Sequence, residues 1–149
     1  MLKIYTDGSS RGNPGPGGFG TVMIFGKHRK EISQGYKNTT NNRMELMAVI
    51  AGLEAVTKPG QDILIVSDSK YVVDTIEKNW IAKWVRTGFK DKKNKDLWLR
   101  YLDVAKPHFI KFKWVKGHAG HKENERCDVL AVQAAMGQNL VTDVGYEGS

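Results

Sequence analysis

Four consecutive apolar residues at positions 63–66 (Ile-Leu-Ile-Val) restrict the fold more than any other feature of the chain. The run lies between Pro59-Gly60 and Ser67-Asp68, which are residues typical of turns and helix ends. A short apolar run bounded in this way is typical of a strand that is buried on both faces. The run therefore predicts a sheet with helices on both of its sides.

Apolar periodicity predicts further elements along the whole chain. Strands are predicted at residues 2–7, 19–25, 31–37, 63–66 and 109–115. Helices are predicted at about residues 44–56, 71–79, 96–106 and 123–135, with another in the aromatic and basic stretch 80–95. The glycine-, asparagine- and proline-rich run 8–18 predicts a turn or loop. The order β-β-β-α-β-α-α-α-β-α predicts a mixed α/β sheet flanked by helices.

The 149 residues contain no internal repeat and no linker long enough to divide domains. We therefore expect one domain over residues 1–149, with an ordered core at about 1–136 and an irregular tail at about 137–149. No stretch approaches the length of a membrane span, and the first residues lack the zones of a secretory signal. A cytoplasmic location and no membrane partner are the default expectations.

The net charge of +7 is concentrated in one segment. Residues 78–100 carry eight Lys or Arg against two Asp, which gives this segment +6 of the total. A basic surface of this kind favours a polyanionic partner, although a generally basic soluble surface is the alternative.

Four acidic residues occupy positions that suit a metal site. Asp7 ends the first predicted strand and Asp68 ends the fourth, and ligands gather at the carboxyl ends of strands in open α/β sheets. Glu45 lies in the first turn of a predicted helix, and Asp128 lies on the last helix. Crowded carboxylates repel one another, so a cluster of four implies a bound cation. Oxygen ligands favour Mg²⁺ or Mn²⁺ over zinc, and two such ions can serve phosphoryl transfer.

Each acid alone also has a structural interpretation. Asp7 before Gly8 suits a turn, Asp68 suits a helix cap, Glu45 suits a helix dipole and Asp128 suits a solvated helix face. The metal-site hypothesis therefore depends on the convergence of all four side chains in space.

Two other residue types near Asp128, histidine and cysteine, have side chains capable of chemistry. His118 lies in a glycine-flanked loop ten residues earlier, where a mobile imidazole could transfer protons. A loop histidine is more often simply solvated, and for His121 that interpretation is favoured. Cys127 is the only cysteine, which excludes an intrachain disulfide, and it is interpreted as a small, partly buried helix residue rather than a nucleophile.

Five motifs follow one another along nearly the whole chain. They are Tyr-Thr-Asp-Gly-Ser at 5–9, Gly-Asn-Pro-Gly-Pro-Gly-Gly at 12–18, Thr-Asn-Asn-Arg-Met-Glu-Leu at 40–46, Ser-Asp-Ser-Lys-Tyr-Val at 67–72, and Val-Lys-Gly-His-Ala-Gly-His at 115–121 running on to Asn-Glu-Arg-Cys-Asp at 124–128. Together they closely resemble ribonuclease H type 1 in its bacterial form. A single Thr-Asp-Gly is a weak signal, whereas five motifs in this order are highly specific.

The resemblance implies a ribonuclease H-like fold, with a five-stranded mixed sheet in the order 3-2-1-4-5 and parallel first, fourth and fifth strands. It implies an endonuclease that hydrolyses the RNA strand of RNA–DNA hybrids with little sequence specificity and leaves 5′-phosphate ends. It places Asp7, Glu45, Asp68 and Asp128 in a site for two Mg²⁺ ions, with Mn²⁺ as a substitute. His118 takes a proton-shuttle or product-release role. A monomer with no protein partner is the default expectation.

The resemblance also implies a set of substrate contacts: Asn13, Thr40, Asn41, Lys70, Trp80, Lys83, Trp84, Arg86 and Lys90. The segment 80–95 looks like the family's basic substrate-binding protrusion, where aromatic faces meet sugars or bases and cations meet phosphates of the DNA strand. Thr40 and Asn41 match positions that bind DNA phosphate, and Asn13 matches the loop beside the RNA strand. In the structural alternative the two Trp are core residues, and we expect at least one to be largely so.

Four residues depart from the common bacterial pattern. Lys70 stands where Gln is frequent, Ser10-Arg11 replaces a pair that commonly contains Cys, and Asn38 replaces a frequent Arg. These departures bear on substrate affinity rather than on the metal chemistry.

Three other functions are compatible with parts of the pattern. The alternative to the nuclease is a non-catalytic module that binds RNA–DNA hybrids without cutting them. A metal nuclease of similar architecture that cuts DNA is a second rival, and an interaction domain with solvated acids is a third.

Overall fold

The computed structural model describes residues 1–117 and 120–147. Within these residues one sheet contains the strands β1 (Leu2–Ser10), β2 (Gly15–Phe25), β3 (His28–Thr39), β4 (Asp62–Ser67), β5 (Phe109–Trp114) and β6 (Leu140–Val141). The helices are α1 (Asn41–Glu54), α2 (Lys70–Glu77), α3 (Trp80–Arg86), α4 (Lys95–Ala105), α5 (Lys122–Met136) and α6 (Val144–Glu147). No helix within these two ranges is both long and apolar enough to cross a membrane.

The sheet has the strand order β5-β4-β1-β2-β3-β6. β4 pairs with β1 and β5 pairs with β4 in parallel, whereas the β1–β2 and β2–β3 pairs are antiparallel. The expected order 3-2-1-4-5 and the expected parallel strands are therefore confirmed. β6 was not expected, and it adds to the outer side of β3 in parallel.

Helices cover both faces of the sheet, as the apolar run at 63–66 predicts. On β2, Thr21 Oγ1 donates a hydrogen bond to the Ala48 carbonyl of α1 at 2.7 Å, while the adjacent Gly20 faces α5 on the opposite side. On β4, Ile63 and Ile65 are 1 % and 0 % exposed, and the intervening residue of the other face is partly buried. The central strands thus lie between two helical layers.

The prediction of a loop at residues 8–18 is wrong for most of these residues. β1 continues to Ser10 and β2 begins at Gly15, so only residues 11–14 connect them. The glycines of β2 allow close packing, because a Cβ at Gly18 or Gly20 would overlap backbone atoms of α5. Gly35 of β3 contacts α5 in the same way. A helix can therefore lie directly on the backbone of this sheet.

The C-terminal segment, expected to be irregular from about residue 137, contains β6 and α6. Asp143 precedes α6, is buried, and accepts hydrogen bonds from Thr39 Oγ1 at 2.7 Å and from Arg43 Nε at 2.8 Å. Arg43 is only 2 % exposed and also binds both carboxylate oxygens of Asp96, at 2.8 and 2.7 Å. A buried guanidinium requires carboxylate partners. The contact of Arg43 with Asp143 therefore orders the C-terminal segment, although that segment lacks apolar periodicity.

Replacing Gly20 with alanine is expected to lower the free energy of unfolding by about 1–3 kcal/mol, because the methyl group overlaps the Cys127 carbonyl oxygen of α5. Gly137→Ala is the matched control, since its methyl group comes no closer than 3.3 Å to the Gln133 carbonyl oxygen. Urea unfolding followed by circular dichroism measures both variants. An equal loss in the two variants would contradict this account of the packing.

Asp143→Ala is expected to lower the free energy of unfolding by roughly 2–4 kcal/mol, because Arg43 stays buried with only part of its carboxylate partners. Glu147→Ala, on the exposed end of the same segment, is the control and should change stability by less than about 0.5 kcal/mol. Thermal unfolding of both variants is the measurement. A similar small effect from both substitutions would show that the Arg43 network does not hold the segment.

Candidate active site

The sheet brings two of the four acids to one place. β1 and β4 are parallel neighbours, with Tyr5 opposite Val66 and Thr6 opposite Ser67. Asp7 and Asp68 follow these paired residues directly, so their carboxylates lie side by side. β1 continues past Asp7 to Ser10, so Asp7 lies within its strand rather than at the end as expected, and the adjacency of β1 and β4 brings it beside Asp68.

Glu45 joins Asp7 and Asp68 because α1 begins directly against β1. One carboxylate oxygen from each of the three residues lies within 4.8 Å of the others. Gly8 makes this approach possible, because a Cβ there would overlap the backbone of Met44 and Glu45. The Gly8 amide donates to the Asp7 carboxylate at 2.9 Å and also to the Glu45 carboxylate.

Asp128 lies at the edge of this group rather than inside it. It lines the same cleft as Asp7, Glu45 and Asp68 but is not one of the three residues with mutually close oxygens. Its negative charge nevertheless contributes to the raised pKa of Asp7. The structure thus brings three acids together and places the fourth beside them.

The three clustered carboxyls are electrostatically costly. The pKa of Asp7 is raised to about 7, by burial first and also by the charges of Asp68 and Asp128, against the opposing effect of hydrogen bonds with Glu45 and the Gly8 amide. The pKa of Glu45 is raised well above its usual value, by burial first and then by the charges of Asp7 and Asp68. Proton uptake or a bound cation relieves such a cluster.

The donor set fits a hard divalent cation. The ligand atoms available from Asp7, Glu45 and Asp68 are all carboxylate oxygens, which suit Mg²⁺-like ions rather than softer metals. Cys127 is buried, with the pKa of its thiol raised by burial, and it donates to the Tyr5 carbonyl at 3.1 Å. It therefore fills space between α5 and β1, as its interpretation from the sequence supposed.

Asn124 is a site residue that the sequence argument did not single out. Its Nδ2 lies 3.5 Å from the Thr6 carbonyl and 3.2 Å from the Val66 carbonyl, so it links β1, β4 and the start of α5. It lines the cleft together with Asp7, Asp68 and Asp128. The available signal was its position four residues before Asp128, which places both on one helix face.

His118 lies outside the described residues. His121 is exposed and is the residue immediately before α5, where its side chain makes no capping hydrogen bond.

Three predicted substrate residues meet at the start of α1. Thr40 caps the helix by accepting a hydrogen bond from the Arg43 amide at 3.3 Å, and Asn13 Oδ1 accepts one from the Asn41 amide at 3.1 Å. Asn41 in turn accepts from the Ser10 amide at 2.8 Å. Asn13 and Thr40 then line an open groove with the basic residues of segment 92–95.

The basic segment forms a second groove on and after α3. Trp80, Lys83, Trp84 and Lys90 line it, and Trp80 is 43 % exposed. Trp84 is partly buried and packs edge-on against the fully buried Trp98, with ring centroids 6.1 Å apart. One of the two predicted contact tryptophans is thus anchored toward the core and the other is open to solvent.

Two further predicted contacts are exposed side chains. Arg86 ends α3, and Lys70 lines the acidic cleft together with Asp7, Glu45 and Asp68.

Comparisons with known proteins agree on one family. The family model described as RNase H matches residues 1–136. A protein named Ribonuclease H from Desulforamulus reducens is 54 % identical over 148 residues, which span 96 % of this chain and 92 % of that protein. LC9-RNase H1, described as a type 1 RNase H with the type 2 active-site motif, has a TM-score of 0.82 at 32 % identity, over 99 % of this chain and 79 % of that one. LC11-RNase H1, crystallised in complex with RNA/DNA hybrid, has a TM-score of 0.65 at 25 % identity, over 91 % of this chain and 97 % of that one.

Without divalent cation, stability is expected to fall as the pH rises from about 4 to about 7. The pKa of Asp7 lies above its ordinary value of 3.8 in the folded protein, so within this window the folded state keeps a proton that the unfolded state has lost. The stabilising contribution is complete below the lower value and is lost as the pH passes the upper one. A divalent cation should therefore raise Tm more at pH about 8 than at pH about 5.

Thermal unfolding of the wild type and of Asp7→Asn, with Mg²⁺ and with chelator at both pH values, measures this effect. The variant should show a smaller pH dependence and a smaller gain from Mg²⁺. A gain from Mg²⁺ that is the same at both pH values in the wild type would contradict the predicted linkage.

Proposed function

The chain belongs to the ribonuclease H family, and on that premise we propose that it hydrolyses RNA–DNA hybrids endonucleolytically with two Mg²⁺ ions and leaves 5′-phosphate ends on the RNA. Cleavage of the RNA strand of such hybrids is the activity of a ribonuclease H, and the family uses divalent metal ions. Mn²⁺ is the expected substitute, because it accepts the same oxygen ligands. The enzyme is proposed to act as a monomer in the cytoplasm.

One observation carries the proposal. Three carboxylates from β1, α1 and the end of β4 converge within 4.8 Å, and Asp128 of α5 borders the same cleft. A domain that only bound a polyanion would gain nothing from this concentration of buried negative charge. The arrangement supports metal-assisted phosphodiester hydrolysis instead.

Asp7, Glu45 and Asp68 would hold the metal ions, with Asp128 completing their ligands. Two bound divalent ions supply an activated water and stabilisation of the leaving oxygen. The hydrogen bonds from the Gly8 amide orient the Asp7 and Glu45 carboxylates toward the cleft before any ion binds. Asn124 keeps α5 against β1 and β4, and this contact holds Asp128 at the edge of the site.

His118 is proposed to relay a proton or to assist release of the cleaved product. It follows Gly117, whose backbone lies close to the Asp68 carboxylate. A Cβ at Gly117 would lie only 2.9 Å from Asp68 Oδ2. Gly117, the residue before His118 in the sequence, therefore lies beside the acids. An imidazole titrates near neutral pH, as proton transfer at this site requires.

The strand that is cut must reach the acidic cleft, so the RNA strand is placed there and the DNA strand on the basic grooves. Trp80, Lys83, Trp84 and Lys90 line one groove, and the exposed Arg86 at the end of α3 is proposed to contact the same strand. Cations contact phosphates, and aromatic faces contact sugars or bases, so the sequence of the hybrid should matter little. The crystal structure of LC11-RNase H1 with an RNA/DNA hybrid supports this substrate class.

Asn13 and Thr40 are proposed to contact the hybrid in the groove that they line, and Asn41 is proposed to contact it at the acidic cleft. The amide and hydroxyl groups at the start of α1 suit a DNA phosphate, and Asn13 faces the same opening from the β1–β2 connection. Selection for RNA would rest on 2′-hydroxyl contacts, because only that group distinguishes the strands locally. In this arrangement residues 1–149 act as one domain, with 80–95 as its substrate-binding protrusion.

The wild type is expected to cut the RNA of a hybrid with Mg²⁺ and to stop when the metal is chelated. Asp7→Asn should reduce kcat by at least about a hundredfold, because it removes a central charged ligand of the ions. Gel analysis of a hybrid labelled on its RNA strand measures both effects, and the charge or ligation competence of the product end identifies the 5′-phosphate. RNA duplex and DNA duplex of the same sequence are the controls.

Each alternative function predicts a different result in the same assay. A hybrid-binding module would retain the duplex without cutting it, and a related DNA nuclease would cut the DNA duplex. Normal turnover by Asp7→Asn would show that these carboxylates do not perform the reaction. Circular dichroism of the variant establishes that its fold is intact.

A further inference from the structure

A lysine and a tryptophan form a contact at the edge of the acidic cleft. Lys70 is the first residue of α2, two positions after Asp68, and its side chain is exposed and lines the cleft. Its ammonium nitrogen lies 4.9 Å from the centroid of the Trp114 ring. This distance is within the range of a cation–π interaction.

Trp114 is itself held in place beside the site. It is the last residue of β5 and lies opposite Ser67 of β4, the residue before Asp68. Its indole N–H donates a hydrogen bond to the Asp68 backbone carbonyl at 3.0 Å. The ring is nonetheless 42 % exposed, so one part is anchored and another is open to solvent.

The Lys70 ammonium contacts an aromatic ring although acidic side chains line the same cleft. Lys70 is adjacent in space to a cluster of three carboxylates, yet no ion pair within 4.0 Å is formed by Lys70 in the described ranges 1–117 and 120–147. The ring of Trp114 instead holds the positive charge on the β5 side of the cleft. The acids stay available for cations, and the ammonium stays available for an anion.

The anion that fits is a backbone phosphate. An ammonium group donates hydrogen bonds but accepts none, so it cannot make the paired contact that an amide makes with a base edge. It acts as a point charge, which suits phosphate oxygens. The strand within reach is the one that enters the acidic cleft, which is the cleaved strand.

We propose that Trp114 is a positioning residue, which holds the Lys70 ammonium for a phosphate of the RNA strand next to the one that is cleaved. The proposal rests on the proposed function for the assignment of the RNA strand to this cleft. Lys70 thereby contributes substrate affinity through charge, and Trp114 contributes through Lys70 rather than by contact with the reacting atoms.

Five full-length variants test the proposal: Lys70→Gln, Trp114→Leu, Trp114→Phe, the double variant Lys70→Gln/Trp114→Leu, and the control Lys58→Gln. Lys58 is exposed and precedes β4, so it lies at the end of that strand opposite to Asp68. The first readout is the Kd for an RNA–DNA hybrid in chelator at several salt concentrations, where no cleavage occurs. The second readout is the KM and kcat of RNA cleavage with Mg²⁺.

Lys70→Gln should raise Kd and KM about three- to tenfold, leave kcat within about twofold, and reduce the slope of log Kd against log salt by about 0.7–0.9, as loss of one phosphate contact predicts. When Lys70 is present, Trp114→Leu should raise Kd by no more than Lys70→Gln does. When Lys70 is already replaced by Gln, adding Trp114→Leu should leave Kd almost unchanged. Trp114→Phe keeps an aromatic face and should restore part of the affinity. Lys58→Gln should change Kd and KM by less than about twofold.

Two results would overturn the proposal. One is an unchanged salt slope and Kd in Lys70→Gln. The other is an equal loss from Trp114→Leu with and without Lys70, especially in kcat, since that pattern indicates a structural effect on Asp68. Absence of cleavage by the wild type would count against the proposed function, whereas the coupling in Kd would still decide the role of Trp114.

Discussion

Direct contact between helices and the backbone of the central strands determines where the acidic side chains of this protein lie. α1 approaches β1 at Gly8 and α5 approaches β2 at Gly20, where any side chain would overlap helix backbone. Helices are rigid, so each approach sets the position of one carboxylate relative to Asp7: Glu45 for α1 and Asp128 for α5. Parallel pairing of β1 with β4 sets the position of the remaining acid. The positions of the acidic side chains are therefore set by backbone packing rather than by their charges.

Two groups of charged residues next to α1 show opposite responses to burial. Arg43 is enclosed by the carboxylates of Asp96 and Asp143, and its hydrogen bonds lower the pKa of Asp96. This group is held together by the attraction of one guanidinium for two carboxylates, and it connects α1, α4 and the C-terminal segment. In the cluster that contains Asp7 and Glu45 the pKa values are instead raised, because like charges are buried together. The first arrangement stabilises the fold, and the second leaves a requirement for cations from outside.

The proposed function makes cation binding and substrate binding depend on each other, because acidic and basic residues line separate parts of the surface. In the proposed function the basic grooves attract the hybrid over a long range, while the acidic cleft repels the strand that is to enter it. Cations in the cleft remove this repulsion, and a phosphate brought to the cleft supplies further oxygen ligands for them. Lys70, which contacts the Trp114 ring, lines the acidic cleft and places a positive charge there without an ion pair to the acids in the part of the chain that the structure describes. Ribonuclease H chemistry is consistent with this division of the surface.

The sequence by itself determined the order of the elements, the α/β class, the strand buried on both faces and the candidate acids, because each depends on local periodicity or on motifs of adjacent residues. The local pattern wrongly predicted a loop at residues 8–18, because glycine is typical of turns. The other role of these glycines, close packing against α5, is visible only in the folded protein. The local pattern also missed β6 and α6, which are ordered by Asp143 and the distant Arg43. Convergence of Asp7, Glu45 and Asp68, the peripheral place of Asp128, and the contacts of Asn124 and Trp114 were decided by tertiary structure alone. They join residues far apart in the chain, and only the pairing of strands and the packing of helices brings such residues within bonding distance.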